Sequence, residues 1–408
     1  MAPCRAQGLV LQRDAHRGQA VVEFRVDDVA YLRSDAGTRA LAEVAGYRLA
    51  GSTLVADIAA ARSRFDERAA VLVETTLLRR RAAAKLRHAG QWLFTDEALR
   101  QATAEPVAEH RARRLAGARV HDATCSIGSE LAALRNWAAV VLGSDIDPVR
   151  LAMARNNVAD VDLCRADALR PISRNAVVLL DPARRRSGRR RFDVRNYTPP
   201  LDSLLAVYRD RDFVVKCSPG IDFDAVTRLG FAGEIEVTSV GGSVREACLW
   251  SPGLAGPGVS RRATMLDVGQ EITDDEPDDC PIAPAGRWII DPDGAVVRAG
   301  LVRHYARRHH LWQLDRDIAY LSGDRLPGDV RGFEVLEELS YDERRLRQAL
   351  SARDVGVAEI LVRGVNVDPD ALRPRLRLRG SQHASVVITR IGTGAASRAT
   401  AFICRASR

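Results

Sequence analysis

The stretch 120–157, VHDATCSIGSELAALRNWAAVVLGSDIDPVRLAMARNN, constrains this chain more than any other part of it. It reads as strand, tight turn, helix, strand, acidic residue, helix. The first strand ends on Asp122. The turn after it is built from small residues, Thr124 and Ser126 among them, and Gly128 lets the backbone pass close to a ligand. A second apolar strand, 138–142, runs on to Asp145. In a parallel α/β sheet, ligands sit beyond the carboxyl ends of the strands. Asp122, Gly128 and Asp145 are therefore expected around one crevice.

Two kinds of ligand compete for such a crevice. A dinucleotide needs G-x-G-x-x-G, so that its pyrophosphate can rest on a helix N-terminus. Here the turn is D-A-T-C-S-I-G, with one glycine and an acidic residue in front. A carboxylate there repels a pyrophosphate and suits an ammonium group. S-adenosylmethionine offers an ammonium, a sulfonium and a ribose diol. Asp145 can accept hydrogen bonds from both ribose hydroxyls. The pattern favours S-adenosylmethionine over NAD.

DATCSIGSE followed by DIDPVRLAMARNN resembles the class I S-adenosylmethionine-dependent methyltransferases. Within them it is most similar to the trimethylguanosine synthase type, which carries a D-A-x-C-x-V-G turn and a D-I-D-P-x-K-x-x-x-A-x-N-N helix start. The upstream QATAEPVAEH, 101–110, is similar to the T-P-E-x-I-A-x-H segment before that turn. The likeness runs over about 101–250 and implies the cofactor more sharply than the substrate. It implies cofactor contacts from Asp122, Thr124, Ser126, Gly128 and Asp145. It adds Asp167, after the third strand, as the partner of the adenine amino group; the alternative is a loop Asp capping the next turn.

At 408 residues the chain has room for two or three domains. Its net charge of +8 and pI of about 9.4 favour an anionic partner, nucleic acid ahead of membrane. The abundance of Ala, Arg and Val points equally to compositional drift. Seven scattered cysteines with no C-x-x-C pair argue against a disulfide framework or a zinc site and fit a reducing cytoplasm. No run is apolar enough for a signal peptide or a transmembrane span.

Residues 1–20 are polar and aperiodic, a disordered arm or a misassigned start. Apolar residues at helical spacing over 41–47, 56–72 and 77–86 make 21–115 a helical N-terminal domain. Short apolar runs at 119–121, 138–142, 161–164, 176–180 and 213–216 read as buried parallel strands, and 234–238 with 247–250 as an antiparallel closing pair. They define a Rossmann-like domain over 116–266. The acidic, proline-containing 267–285 reads as a linker. In 286–408, strands are expected at 334–339, 357–362, 384–391 and 401–404, with a helix over 341–352. This βα-rich tail, with Arg363-Gly364-Val365 and LRPRLRLRG at 372–380, resembles the THUMP-like domain behind some bacterial methyltransferases. THUMP domains bind RNA. The fold class is thus α/β: a Rossmann-like class I methyltransferase sheet, a helical N-terminal domain and a small α+β THUMP-like C-terminal domain.

Three clusters carry candidate chemistry. Asp181-Pro182-Ala183-Arg184 follows the fourth strand, where nitrogen methyltransferases place an [N/D/S]-P-P-[aromatic] motif. That motif's polar side chain accepts from the target nitrogen and its aromatic stacks on the base. The chain keeps Asp181 and Pro182 but has Ala183 for the second proline and Arg184 for the aromatic. A guanidinium can stack on a base or bind phosphate. RRRSGRRR, 184–191, reads either as a flexible phosphate clamp or as a solvated basic loop. Arg185, Arg189, Arg190 and Arg191 are the candidate substrate contacts. Lys216-Cys217-Ser218-Pro219 ends the fifth strand. Cys217 is either a packing residue or a nucleophile of the 5-methylpyrimidine kind, its thiol acidified by Lys216. His304, His309 and His310 read as surface residues. Arg79, Arg80, Arg81, Lys85 and Arg87 read as a solvated basic helix face.

The expected protein is a cytoplasmic S-adenosylmethionine-dependent methyltransferase, without a metal, that methylates a base nitrogen in RNA by direct transfer. The alternatives are a small-molecule methyltransferase and an inactive RNA-binding protein on the same fold.

Overall fold

The computed structural model describes residues 12–13, 20–184, 194–328, 330–392 and 394–407. The chain packs as two units, 1–232 with 249–254, and 233–248 with 255–408.

In the first unit five strands lie parallel: β1 Arg119–Asp122, β2 Val140–Asp145, β3 Asp162–Arg165, β4 Val177–Leu180 and β5 Phe213–Cys217. Their spatial order is β5-β4-β1-β2-β3. β4, VVLL, is buried throughout, as a strand covered on both faces must be. The chain order reverses between β1 and β4. Their carboxyl ends, Asp122 and the Leu180–Asp181 step, therefore flank the topological switch point, where doubly wound sheets bind ligands. The five parallel strands expected from the sequence are all present: those at 119–121 and 213–216 gain one residue, those at 138–142 and 161–164 lie further along the chain, and that at 176–180 starts one residue later.

Helices Val26–Arg33, Asp35–Ala45, Leu54–Phe65, Ala69–Ala82, Asp96–Gln101 and Glu105–Arg114 precede the sheet. The continuous helix expected over 56–72 is interrupted. A turn at Asp66–Arg68, with Asp66 at φ +46°, separates two helices. Arg68 fixes that turn by pairing with Asp28 at 2.7 Å and lying over the Tyr31 ring. Ile127 and Met153 of the sheet layer belong to the same buried cluster as these helices, so helices and sheet share one core.

The basic helix face is exposed at Arg80, Arg81 and Arg87, as expected of a solvated face, and its side chains also have partners. Arg80 donates to the carbonyls of Ala45, Tyr47 and Arg48, and Arg79 to those of Gln91 and Trp92. Arg81 pairs with Asp96, and Arg87 with Glu105. Lys85 donates to Leu99 and Arg100. Orphan carbonyls past helix ends attract cations, which accounts for the contacts of Arg80 and Lys85.

After β5, Glu234–Val240 and Ser243–Trp250 are neighbouring strands joined by Gly241-Gly242, both at positive φ as a two-residue hairpin turn requires. Arg261–Met265 runs parallel to Glu234–Val240, and Gln270–Thr273 antiparallel to Arg261–Met265. The segment expected as a linker therefore contributes a strand. Its acidic run is also neutralised: Glu276, Asp278 and Asp279 pair with Arg308, Arg303 and Arg307 of the helix Val302–Arg308. In that helix region His304 and His309 are half-buried rather than superficial, His309 against the Tyr305 ring at 4.3 Å.

A seven-stranded sheet follows, ordered Trp312–Asp315, Ile318–Gly323, Trp288–Ile290, Gly332–Ser340, Arg398–Ala406, Gln382–Ile391, Val355–Arg363. Helices Glu343–Ala352 and Pro369–Leu376 bury Leu346, Leu350, Leu372 and Leu376 against it. The four tail strands and the first helix expected from the sequence are all present. Asp342 caps that helix by accepting from the Arg345 amide at 2.9 Å.

Candidate active site

A cavity of about 480 Å³ opens at the carboxyl ends of β1, β2 and β4. That size falls within the range of small-molecule sites, about 300–1,000 Å³. Its wall includes Asp122, Thr124, Ser126, Asp145, Asp167 and Asp181, so six residues singled out in the sequence converge there. Gly128 sits just behind, at φ +88°. A Cβ placed on it would come within 2.9 Å of Val158 Cγ2, so the turn accepts nothing larger.

The cavity's three strand-end carboxylates differ in what holds them. Asp145 is fully oriented: Oδ2 accepts from the Ser126 amide and Oδ1 from the Asp147 amide, both at 2.9 Å. The first of these bonds requires Ser126 to stand at φ +50°, which shapes the turn around the carboxylate. Asp122 is buried, and Oδ1 accepts from the Thr124 amide at 3.2 Å. Its Oδ2 is equally buried, and among the described residues it has no hydrogen-bond partner. Burial first, and the nearby Glu130 carboxylate second, push the Asp122 carboxyl well above the ordinary carboxylate range. A buried carboxyl oxygen left without a partner marks a place for a cationic group. Asp167 Oδ1 accepts from the Leu169 amide at 2.9 Å, closing a turn, and the residue lines the cavity.

Asp181 is tied from behind. Its amide donates to Thr124 Oγ1 at 2.6 Å, and its Oδ2 accepts from Lys216 Nζ at 2.5 Å. Lys216 Nζ also donates to Thr103 Oγ1 at 2.5 Å and lies 3.2 Å from Glu130 Oε1. Glu130 accepts from Thr103 and from Arg111, the latter at 2.5 Å. Burial disfavours the charged form of Glu130, but Arg111 and Lys216 outweigh it and hold the carboxyl at about 2. Pro182 is buried beneath Asp181. The Ala183–Arg184 backbone pairs with Tyr197–Thr198, which brings Thr198, Pro199 and Pro200 to the cavity wall. The Arg184 side chain, and Arg185, Arg189, Arg190 and Arg191, lie outside the described residues.

Lys216 does not serve Cys217. Consecutive strand residues point to opposite faces, and the Lys216 ammonium is committed to Asp181, Thr103 and Glu130. Cys217 is buried and does not line the cavity. Sequence reasoning passed over Thr103, Arg111 and Glu130. It also passed over Gln101, Ala98 and Ala102, through which the N-terminal helices close one side of the cavity, and the exposed Ile146 on its wall. The signal for Gln101 and Thr103 was present in the QATAEP segment; that for Ile146 was an apolar residue directly after Asp145.

The donor set fits S-adenosylmethionine. Asp122 Oδ2 can take an ammonium, Asp145 a ribose diol, and Asp167 with Ile146, Ala168 and Leu169 can receive an adenine. Among the described residues no group of three or more His, Cys, Asp or Glu could hold a metal ion, and no helix is long and apolar enough to cross a membrane.

Comparison with known proteins agrees. Residues 330–406 match the family described as THUMP domain-like. A solved protein of Porphyromonas gingivalis W83, described as a methyltransferase candidate, shares the fold at a TM-score of 0.71. It is 18% identical, and the match covers 91% of this chain and 99% of that one. Two uncharacterized S-adenosylmethionine-dependent methyltransferases of Mycobacterium tuberculosis, from strains CDC 1551 and H37Rv, are each 69% identical over 357 residues, 85% of this chain and all of theirs. With its methyltransferase-like α/β fold, its N-terminal helices and its THUMP-like C-terminal domain, the chain belongs to the family of S-adenosylmethionine-dependent methyltransferases.

Proposed function

We propose that the protein transfers the methyl group directly to a base nitrogen in RNA. The observation that carries this reading is the position of Asp181-Pro182: it ends β4 on the wall of the same cavity as Asp122 and Asp145. A carboxylate there can accept from a target nitrogen one strand away from Asp122 and two from Asp145. The likeness of the D-A-T-C-S-I-G turn and the D-I-D-P helix start to the trimethylguanosine synthase type supports a base nitrogen. The THUMP-like match and the net charge of +8 support RNA.

The cofactor supplies an electrophilic methyl group on a sulfonium. Asp122 holds its ammonium, Asp145 its ribose and Asp167 its adenine, with Thr124, Ser126 and Gly128 forming the turn beneath. Thr124 also fixes the Asp181 backbone, so one residue sets both halves of the site. Arg184 stacks on the base or meets a phosphate, and Arg185, Arg189, Arg190 and Arg191 bind the RNA backbone. Methyl transfer to a neutral nitrogen needs little acid–base work, and alignment supplies most of the rate. The test is incubation with labelled S-adenosylmethionine and total RNA from cells lacking the protein, followed by nucleoside analysis. Label in one methylated nucleoside is the expected result. Label in acid-soluble metabolites instead makes it a small-molecule methyltransferase, and no label in either leaves an RNA-binding protein on a methyltransferase fold.

A further inference from the structure

A carboxylate on a cavity wall rotates about Cα–Cβ and has two equivalent oxygens, so alone it does not present one oxygen to one place. Asp181 is prevented from turning. The Asp181 side chain is 36% exposed and lines the cavity, whereas that of its partner Lys216 is 7% exposed and does not line it. Lys216 Nζ donates to Asp181 Oδ2 and Thr103 Oγ1 and forms an ion pair with Glu130 Oε1 at 3.2 Å. Glu130 is held in turn by Arg111, with side-chain exposures of 6% and 2%. The four supports come from separate places: β5, the helix Ser129–Leu134, the helix Glu105–Arg114 and the segment just before it. None can shift without breaking a buried bond of another. Among the described residues, Asp181 Oδ1 has no hydrogen-bond partner.

We infer that Lys216 is a positioning residue that selects the methyl acceptor: by engaging Oδ2 it leaves Oδ1 as one fixed acceptor at the cavity, and so admits a nitrogen that carries hydrogen. This rests on the reading of Asp181 as the group that meets the target nitrogen. A carboxylate clamped by an ammonium accepts hydrogen bonds and donates none, so a carbonyl, carboxylate or phosphate oxygen is repelled from that point. The acceptor nitrogen gives its lone pair to the new N–C bond, the pair of the broken C–S bond stays on sulfur, and the surplus proton passes to Oδ1 and then to water.

The inference is tested without any RNA. Sinefungin carries an amine in place of the methyl-bearing sulfonium, and S-adenosylhomocysteine carries nothing there. The calorimetric Kd ratio of the two reports an acceptor facing the methyl position. In the wild type sinefungin is expected to bind about tenfold tighter or more, the scale of one charge-assisted hydrogen bond. Asp181→Asn and Lys216→Met are each expected to bring the ratio within about threefold of unity while S-adenosylhomocysteine affinity stays within the same factor. A wild type without preference, or either variant with the wild-type ratio, overturns the inference. If circular dichroism shows Lys216→Met unfolded, Thr103→Val removes one partner of the ammonium and is expected to cut the ratio severalfold; an unchanged ratio overturns the inference. Failure of RNA labelling with the ratio intact removes the RNA reading and leaves this one standing.

Discussion

Glu130→Gln keeps the side chain's shape and removes its charge. In the folded protein that strands two buried cations, Arg111 at 2.5 Å and Lys216 at 3.2 Å, with only Asp181 of this network to share. Breaking a buried pair by removing one partner costs about 3–5 kcal/mol. The direction of the Glu130 shift agrees: against the effect of burial, Arg111 and Lys216 hold its carboxyl at about 2, below the ordinary 4.5. The sign follows from the direction of the shift. A carboxyl lowered in the fold contributes its full stability above its unfolded value and loses it as pH falls from about 4.5 toward 2. Urea unfolding at pH 7 should therefore show the variant about 3–5 kcal/mol less stable, with a melting temperature lower by roughly 10 °C for a unit of this size. The gap should narrow between pH 5 and pH 3. The transition to follow is the one S-adenosylmethionine raises, because a ligand stabilises the unit that binds it. A loss below about 1 kcal/mol at pH 7, the level of an exposed pair, or a gap that does not change with pH, refutes the reasoning.

Other expectations follow from the cavity. Asp145→Ala removes the acceptor of the Ser126 and Asp147 amides as well as the proposed ribose contact, and S-adenosylmethionine should bind about 1–3 kcal/mol more weakly by calorimetry. Asp122, raised by burial, should lose a proton when an ammonium arrives. At pH values where free Asp122 is still protonated, wild-type binding should then release protons, seen as a heat that varies with buffer ionisation enthalpy, and Asp122→Asn should abolish that variation. Neutralising Arg189, Arg190 and Arg191 should lower RNA affinity and reduce the salt slope by roughly 0.7 for each phosphate of a single strand that is no longer neutralised, with cofactor affinity unchanged; salt-titrated binding decides it.

The parts legible in the sequence are those written locally. Period-two and short apolar runs located the five parallel strands, and a small-residue turn before Gly128 located the ligand-binding end of the sheet. Tail strands were legible for the same reason, each being an apolar run bounded by turn residues. What was not legible depends on pairing across distance. Lys216 and Glu130 read as ordinary charged residues until the fold brings them within 3.2 Å of each other across 86 positions of chain. Arg79 and Arg80 gave no sign of their partners, which are backbone carbonyls that no sequence displays, and Arg81 meets the carboxylate of Asp96, 15 positions along the chain. The acidic stretch before 285 looked like a linker because its cationic partners lie on a helix that begins at Val302.

The three strand-end carboxylates show how one cavity can discriminate among charged groups without a metal-like centre. Asp145 has each oxygen already accepting from an amide, so it offers remaining lone pairs of modest strength, suited to hydroxyls. Asp181 shares its charge with Lys216, so it attracts an N–H without trapping a full cation. Asp122 alone holds a buried oxygen with nothing to satisfy it among the described residues, and burial resists its ionisation until a positive group is present. A cation entering the cavity therefore gains most at Asp122, the strand end beside the Gly128 turn, and least at Asp181. That gradient fixes the orientation of a ligand with an ammonium at one end before any contact with a methyl acceptor is made. It also explains why Lys216 has to be buried: an exposed ammonium beside Asp181 would be screened and mobile, and the two carboxylates would then compete for the same cation.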